Sequence, residues 1–489
     1  MSYAAAIDAL NALAPELYTQ PGRPRRKFSL AEIGILLAAL GNPHHRFKSI
    51  LIAGTNGKGS TASTLASILA ASGLRTGLYT SPHLERPNER IRIDDAEISD
   101  DNFAARYFAV HNTAERLVAS GELAQHPSFF EILTAMAFLH FADAAIEIAV
   151  LEVGMGGRLD ATNIVQPILS VITDISLDHT EWLGPTISAI AREKAGILRP
   201  GGTLITLPQH PEANLSIGEV ATSLNVRAVS AVPYMPQSGP QFGNLQNVYT
   251  APVMGVQIAV PFPLAGEHQH RNLALAVAAA VELAERHQLP ITPASIANGI
   301  RATRWPGRLE HIRIGHALWV LDVAHNPAGA WALRAGLRPI FDAVPDHPRT
   351  LVFACLRDKP VAELAQILFP LFDRVLFAPI HSPRAATMES LLAAAAATGT
   401  PAQAAESVAA ALQLANTAVP PVSNTAAPPV SGPAVAGVSK PPQALVVISG
   451  SVYLVGEARS LLMRDCAPSI PPLSAAEDGM GGREGSKDS

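Results

Sequence analysis

Apolar residues fall along this chain in two rhythms. Short, mostly apolar runs at 50–53, 76–80, 146–153, 169–172 and 203–206 predict strands covered on both faces. The stretches between them carry apolar residues at helical spacing, over 64–70, 100–120, 129–142 and 187–194, after two amphipathic helices at 4–13 and 29–40. Strand and helix alternating in this way predict a mostly parallel sheet flanked by helices. Between 210 and 262 the pattern shifts to short β-like pieces, including 226–229 and 256–260, and a long helix follows over 268–287. Beyond Leu289-Pro290 the alternation resumes, with strands expected at 317–321, 350–354, 374–377 and 444–449.

Two segments break the pattern. The Pro/Ala-rich stretch 417–424 is repeated almost verbatim at 425–432, and with its flanks, about 414–442, it reads as a disordered insertion. The tail 467–489 reads the same way. Its Gly479-Met480-Gly481-Gly482-Arg483 echoes Gly154-Met155-Gly156-Gly157-Arg158, but no strand precedes it.

The strand at 50–53 runs directly into Gly54-Thr55-Asn56-Gly57-Lys58-Gly59-Ser60, and a helical pattern follows. Strand, glycine loop and helix in that order make a phosphate cradle. Backbone N–H groups can approach an anion, the helix N-terminus adds its dipole, and Lys58 adds a point charge. The usual P-loop has a glycine five residues before the Gly-Lys pair, where this chain has Ile52, and Ser60 stands one place later than the usual hydroxyl. The fold class expected is α/β: a P-loop-containing, mostly parallel sheet domain flanked by helices over 1–293, plus a smaller C-terminal α/β Rossmann-like domain over 294–466.

Composition narrows the setting. The chain has 489 residues, 48% of them hydrophobic and 16% charged, enough to bury a large core in two or three domains. A net charge of −5, with no basic block, gives no reason to expect nucleic acid. The basic turn Gly22-Arg23-Pro24-Arg25-Arg26-Lys27 reads as a solvated loop. Cys355 and Cys466 cannot build a disulfide framework, the start has no basic n-region, and the most apolar segment is broken by His140, Asp143 and Glu147. A soluble cytoplasmic protein with no membrane contact is the expectation.

Further chemistry sits at the ends of the expected strands. Glu152 closes the strand 146–153, where open α/β sheets place their ligands, and a carboxylate there can hold Mg²⁺ against nucleotide phosphates. His179 follows Asp178 at another strand end, and Asp322, His325 and Asn326 follow the strand 317–321, with Arg308 shortly upstream. On spacing alone His179 reads as an ordinary loop histidine. Lys194 reads as a lysine favoured by a helix C-terminus.

Together these blocks resemble the bifunctional dihydrofolate synthase/folylpolyglutamate synthase group of the Mur ligase family, from about residue 20 to 465. The resemblance rests on Gly54 to Ser60, Thr80-Ser81-Pro82-His83-Leu84, Glu152 to Asn163, Asp178-His179, Glu193 to Gly196, His268-Gln269 with Asn272, Arg304 to Arg308, Asp322 to Pro327, and Ser449 to Glu457. It implies an ATP-dependent acid–amino-acid ligase that joins L-glutamate to dihydropteroate and to reduced folates through an acyl phosphate. Gly54, Thr55, Asn56, Gly57, Lys58, Gly59, Ser60, Asn272, Arg308 and Asp322 match ATP contacts, and Ser81, Glu152 and His179 match Mg²⁺ ligands. Lys194 matches a lysine that the family carbamylates, which reverses the reading from spacing, and His325 is placed beside the catalytic groups. The pterin would lie against Ser128, Phe129, Phe130 and Glu131 and against Leu159, Asp160 and Ala161. The resemblance also implies a monomer. Other readings are one folate activity alone, a Mur-type ligase acting on a nucleotide-sugar, or an inert nucleotide-binding module; the roughly 48 residues before the loop are too few for the sugar-nucleotide domain such ligases usually carry.

Overall fold

The computed structural model describes residues 2–13, 29–236, 248–345, 347–417 and 444–466. Two sheets organise it. The larger contains β1 (Lys48–Ala53), β2 (Thr76–Tyr79), β3 (Ile91–Ile93), β4 (Ala96–Glu97), β5 (Ile148–Glu152), β6 (Leu169–Ile172), β7 (Thr203–Thr206) and β8 (Arg227–Ser230), in the order β4-β3-β2-β5-β1-β6-β7-β8. All neighbours from β2 to β8 run parallel, and β3 and β4 add an antiparallel edge.

The apolar runs become strands because both faces are covered. In β1, Leu51 and Ala53 join the core beneath the helices Leu30–Ala39, Asp100–Ala119 and Phe129–Asp143, whereas Ile50 and Ile52 join the core beneath Lys58–Ala71 and Glu267–His287. An antiparallel hairpin of β9 (Val248–Val253) and β10 (Val256–Pro261) closes that second core.

The smaller sheet contains β11 (Glu310–Ile314), β12 (Ala317–Leu321), β13 (Arg349–Phe353), β14 (Arg374–Phe377), β15 (Ala402–Ala404) and β16 (Ala444–Ser449), in the order β11-β12-β16-β13-β14-β15. It too is parallel except at one edge, where β11 runs against β12. The mostly parallel α/β architecture expected from the apolar pattern is therefore present in both sheets. The edge strands β4, β11 and β15, the strand β3 beside β4 and the hairpin strand β9 are additions that the pattern did not predict. The helix Val408–Thr417 covers the start of the stretch expected to be disordered. Residues 418–443 of that insertion, the tail from 467 and the basic turn at 22–27 lie outside the described residues.

The phosphate-loop helix, Lys58–Ala71, is held by small side chains that let its neighbours come close. Thr61 Oγ1 donates to the Asn272 carbonyl (3.4 Å), Ser63 Oγ to that of Arg304 (3.0 Å) and Ser67 Oγ to that of Gly299 (2.8 Å). Gly299, in the helix Pro293–Ala302, lies so near that a Cβ there would meet the Ile68 Cα at 2.4 Å and its nitrogen at 2.6 Å. Backbone cannot give way as a flexible side chain can, so Gly299→Ala is expected to cost about 1–3 kcal/mol of stability as overpacking. Urea denaturation checks this, and an unchanged midpoint would show that the two helices separate freely.

Candidate functional site

The carboxyl ends of both sheets face one cavity of about 600 Å³. Its wall takes Gly54 to Ser60 from the loop after β1, Ser81 from beyond β2, Glu152 from the end of β5, and Asp178 and His179 from beyond β6. Lys194 and Asn272 come from the flanking helices Ile187–Ala195 and Glu267–His287, while Arg308, Asp322 and His325 come from the second sheet and the segment leading to it. Every residue expected to contact nucleotide or metal, or to act in catalysis, is thus on one wall, although 271 positions separate Gly54 from His325.

The loop is braced from behind. The Thr55 and Asn56 amides donate to the Asp174 carbonyl (2.9 and 3.2 Å), and Thr55 Oγ1 exchanges hydrogen bonds with the Ser176 carbonyl and amide (3.0 and 3.1 Å). Those two amides are committed, which leaves the N–H groups from Gly57 onward for an anion. The helix begins at Gly57 with φ +87°, a conformation that side-chain-bearing residues rarely adopt, and no side chain caps it. A Cβ on Gly57 would also lie 2.1 Å from Asn272 Oδ1. Gly59, the residue that sets this loop apart from the usual pattern, has the Trp305 ring 2.7 Å from where its Cβ would be. Lys58 Nζ donates to the Thr55 carbonyl at 3.2 Å, holding the ammonium beside the helix start.

Three buried charges surround this start. Glu152 is 4% exposed and accepts from the Ser81 amide at 3.2 Å. Burial raises its carboxyl pKa, while Lys58, the Ser81 amide and Arg308 pull the other way. Lys194, also 4% exposed, donates to the Gly54 carbonyl at 2.7 Å. Burial, with Lys58 as a nearby like charge, brings its ammonium from an ordinary 10.5 down to about 7. Asp322 accepts from the Leu309 and Ala324 amides (2.9 and 2.8 Å), and burial raises its carboxyl against the opposing pull of His268 and Arg308.

The chemistry of the donors fits a hard divalent cation. Glu152 and the Ser81 side chain offer oxygen, and burial holds His179 at a pKa of about 4, so its ring is neutral and able to coordinate. His179 lies toward Asp178, with Nε2 and Oδ2 4.0 Å apart. Magnesium keeps several waters and does not require a closed protein cage.

Sequence reasoning named Asp178 and Asn326 but missed Lys359 and the seam that the three form between the sheets. Asp178 is its centre: Lys359, in the loop after β13, donates to Oδ1 at 2.7 Å, Asn326 Nδ2 donates to Oδ2 at 3.1 Å, and His325 Nε2 stands 3.8 Å away. Burial alone would raise this carboxyl, but His179, Lys359 and His325 outweigh it and hold Asp178 well below the usual carboxylate range. Asn326 also donates to Asn56 Oδ1 (3.0 Å) while its own Oδ1 caps the helix Pro327–Ala343 through the Gly329 amide (2.8 Å), so the loop and the second unit share one amide group. The available signal was position, since Lys359 and Asn326 both follow strands whose carboxyl ends face the cavity.

The residues expected to meet a pterin do not line the cavity. Ser128 and Glu131 form a reciprocal helix cap (3.1 and 2.7 Å), and Asp160 accepts from the Met155 and Thr162 amides (2.9 and 3.0 Å), bracing the glycine loop after β5. Phe130 packs behind Gly154, a Cβ on which would lie 2.6 Å from the ring, and the Arg90 guanidinium lies 5.3 Å from the centre of Phe129. Leu159 is half-buried and Ala161 buried beside them.

Comparison with known proteins agrees with this geometry. Residues 52–280 match the Mur ligase middle domain, and residues 307–422 the Mur ligase, glutamate ligase domain. The dihydrofolate synthase/folylpolyglutamate synthase of Mycobacterium tuberculosis is 38% identical over 461 residues, covering 89% of this chain and 90% of the relative. Among solved structures, M. tuberculosis folylpolyglutamate synthase complexed with ADP and AMPPCP superposes with a TM-score of 0.80 at 33% identity, over 94% of this chain and 99% of that one. Escherichia coli FolC in complex with DHPP and ADP gives 0.75 at 28%, over 96% and 99%.

Removing Lys359 would leave the Asp178 carboxylate buried without its closest cation. Both side chains are under a tenth exposed, so Lys359→Met is expected to cost on the order of 3 kcal/mol in chemical denaturation. Wild-type stability in that variant would show that the bridge is not formed in solution.

Proposed function

The chain belongs to the Mur ligase family, to its dihydrofolate synthase/folylpolyglutamate synthase group, and we propose that it uses ATP to join L-glutamate to dihydropteroate and to reduced folates. One observation carries this reading. A phosphate loop on one sheet and the Arg308–Asp322 pair on the other face the same cavity, with Glu152 and Lys194 buried in its wall.

The proposed chemistry runs in two displacements. The Gly57 to Ser60 amides and Lys58 hold the ATP phosphates, Asn272, Arg308 and Asp322 hold the nucleoside, and Thr55 and Asn56 shape the loop. The folate carboxylate attacks the γ-phosphorus, the bond to ADP breaks, and an acyl phosphate forms. Glutamate's amine then attacks the acyl carbon, loses a proton, and phosphate leaves. Such transfers need positioning and charge neutralisation more than covalent help from the protein. Ser81, Glu152 and His179 would hold Mg²⁺, which when bound supplies neutralising charge to the phosphates. His325 donates Nδ1–H to the Val323 carbonyl (2.8 Å), so its Nε2 is the atom able to accept a proton from the incoming amine.

Lys194 is primed for carbamylation. Carbon dioxide reacts with a neutral amine, and an amine with a pKa of about 7 is substantially neutral at physiological pH. The product is an anionic carbamate beside Gly54 in place of a cation. The pterin ring is assigned to the surface beyond Gly154–Gly156, backed by Phe129 and Phe130, with Ser128, Glu131, Leu159, Asp160 and Ala161 as its supports.

The two-unit division is kept, but its boundary moves from 293 to after the helix Pro293–Ala302, which packs on the phosphate-loop helix. A cytoplasmic monomer is also part of the reading. Cys355 is a buried free thiol, the cavity is built by one chain, and among the described residues no helix is long and apolar enough to cross a membrane.

The deciding assay is glutamate-dependent phosphate release with dihydropteroate, tetrahydrofolate or a nucleotide-sugar peptide, followed by product mass. Addition of glutamate to both folates is expected. Activity on the sugar peptide alone would move the chain to another Mur-type ligase, and none at all would make it a binding module. Lys58→Ala is expected to lower turnover roughly a hundred-fold, the effect of losing one preorganised charge contact, with Glu152→Ala at least as damaging and circular dichroism unchanged. Wild-type-like turnover in either would overturn the site.

Lys194→Ala should be inactive and regain part of its turnover when acetate or another small carboxylate is added. In the wild type, activity should fall when bicarbonate and CO₂ are removed, more steeply below pH 7, where the amine is protonated. Absence of both effects would leave Lys194 as a simple cation.

A further inference from the structure

Away from the cavity, the helix Asp100–Ala119 and the connection that follows it bring together His111, Glu115 and His126, with one ligand atom from each lying within 4.8 Å of the others. His111 and Glu115 are four residues apart and so share a helix face. His126 Nδ1 is 3.0 Å from the Pro127 carbonyl. A carbonyl only accepts, so Nδ1 carries the proton and Nε2 presents its lone pair. That Nε2 stands 3.3 Å from Glu115 Oε1.

A lone pair facing a carboxylate oxygen at that distance needs a cation between or beside them. Two kinds are available, a proton or a metal ion. Three features favour the metal. The His126 arrangement, Nδ1–H bound to a backbone carbonyl and Nε2 turned toward Glu115, is the one that orients metal-ligating histidines. His111 Nδ1 is enclosed with no hydrogen-bond partner, and its ring centre lies 5.3 Å from that of His126. The Tyr107 hydroxyl, one turn back on the same face, is also enclosed without a partner, in a residue fully buried and stacked on His111 at 5.4 Å. A proton between His126 and Glu115 would leave both of those groups unsatisfied.

We propose that His111, Glu115 and His126 form a binding site for a borderline divalent cation, Zn²⁺ by preference. Two imidazoles and one carboxylate suit zinc rather than magnesium or calcium, which take oxygen shells. Zinc–nitrogen bonds of about 2.0–2.1 Å give tetrahedral edges of about 3.3 Å, the separation that His126 and Glu115 already have. Water or the Tyr107 hydroxyl completes the shell. Glu115 is 60% exposed and gives the ion a path in. Bound there, zinc would pin the connection 120–127 to the helix before it, and so fix the start of the helix Phe129–Asp143.

The test uses the full chain, stripped of metal and then saturated with Mg²⁺ and ADP to occupy the cavity, and titrated with Zn²⁺ by calorimetry. One Zn²⁺ per chain is expected, with affinity lowered at least about ten-fold in Glu115→Gln and in His126→Ala and unchanged in Glu152→Gln. Co²⁺ at the same site should show a ligand-field absorption that the two site variants lose, with circular dichroism confirming that they fold. No zinc uptake, uptake unaffected by Glu115→Gln and His126→Ala, or uptake lost in Glu152→Gln would overturn the proposal and leave a proton as the bridging cation.

Discussion

The structure depends on a helix that begins without a cap inside a buried seam. Lys58–Ala71 starts at Gly57 with no side chain on its first N–H groups, between a sheet on one side and the Trp305 ring on the other. Buried orphan donors are costly, so a helix start of this kind persists only where something else answers for it. Here the surroundings are built around the open end. Small polar residues tie the helix to its neighbours, the Asp174 carbonyl takes the Thr55 and Asn56 amides, and Gly57 to Ser60 are left facing the cavity. An anion with several oxygens satisfies all of them together. That open end is what fits the loop for the phosphate role proposed for it.

The charges around that end follow the same logic. Burial pushes Glu152 toward its neutral acid, Lys194 toward its neutral amine and Arg308 below its usual range. Each is moved because water is excluded, and each is partly restored by an opposite charge elsewhere in the cavity. Groups balanced in this way respond strongly to an added ligand charge. The exclusion of water that shifts them would also strengthen electrostatic contacts made to a ligand in the cavity.

Much of this was legible in the sequence, for a physical reason. A parallel strand covered on both faces has to be a run of apolar residues, so β1, β5, β6, β12 and β16 announced themselves. Most of those that did not are edges. In β15 no residue is buried, in β11 one is, and β3 and β4 meet through Asp94 and Asp95 in left-handed conformations. An edge has less to cover and so leaves no apolar signature. Candidate residues could be picked out where chemistry coincides with a strand end, as at Glu152 and Asp322, which the fold brings to the cavity wall. Lys359 was not, because its role is a contact with Asp178, 181 positions away. Ser128, Glu131 and Asp160, by contrast, stand outside the cavity wall. Their polar groups close local hydrogen bonds, a duty that a motif reading does not separate from ligand contact.

The seam at Asp178 has a consequence for motion. A buried ion pair such as Lys359–Asp178 gains in attraction about what it loses in desolvation, so its net hold on the two sheets is small even though removing one partner is costly. What it supplies is a defined pose. With Asp178 paired, Asn326 reaches both the loop at Asn56 and the helix it caps, and His325 sits beside His179 on the cavity wall. On the opposite side, Arg459 joins Glu310 and Glu85, linking the helix Val452–Cys466 to the loop after β2. Hydrating these polar contacts would let the units part at little cost, and re-forming them would restore one geometry. An enzyme that must admit a folate, a nucleotide and glutamate, and then exclude water while an acyl phosphate exists, needs a seam that opens cheaply and closes in one way.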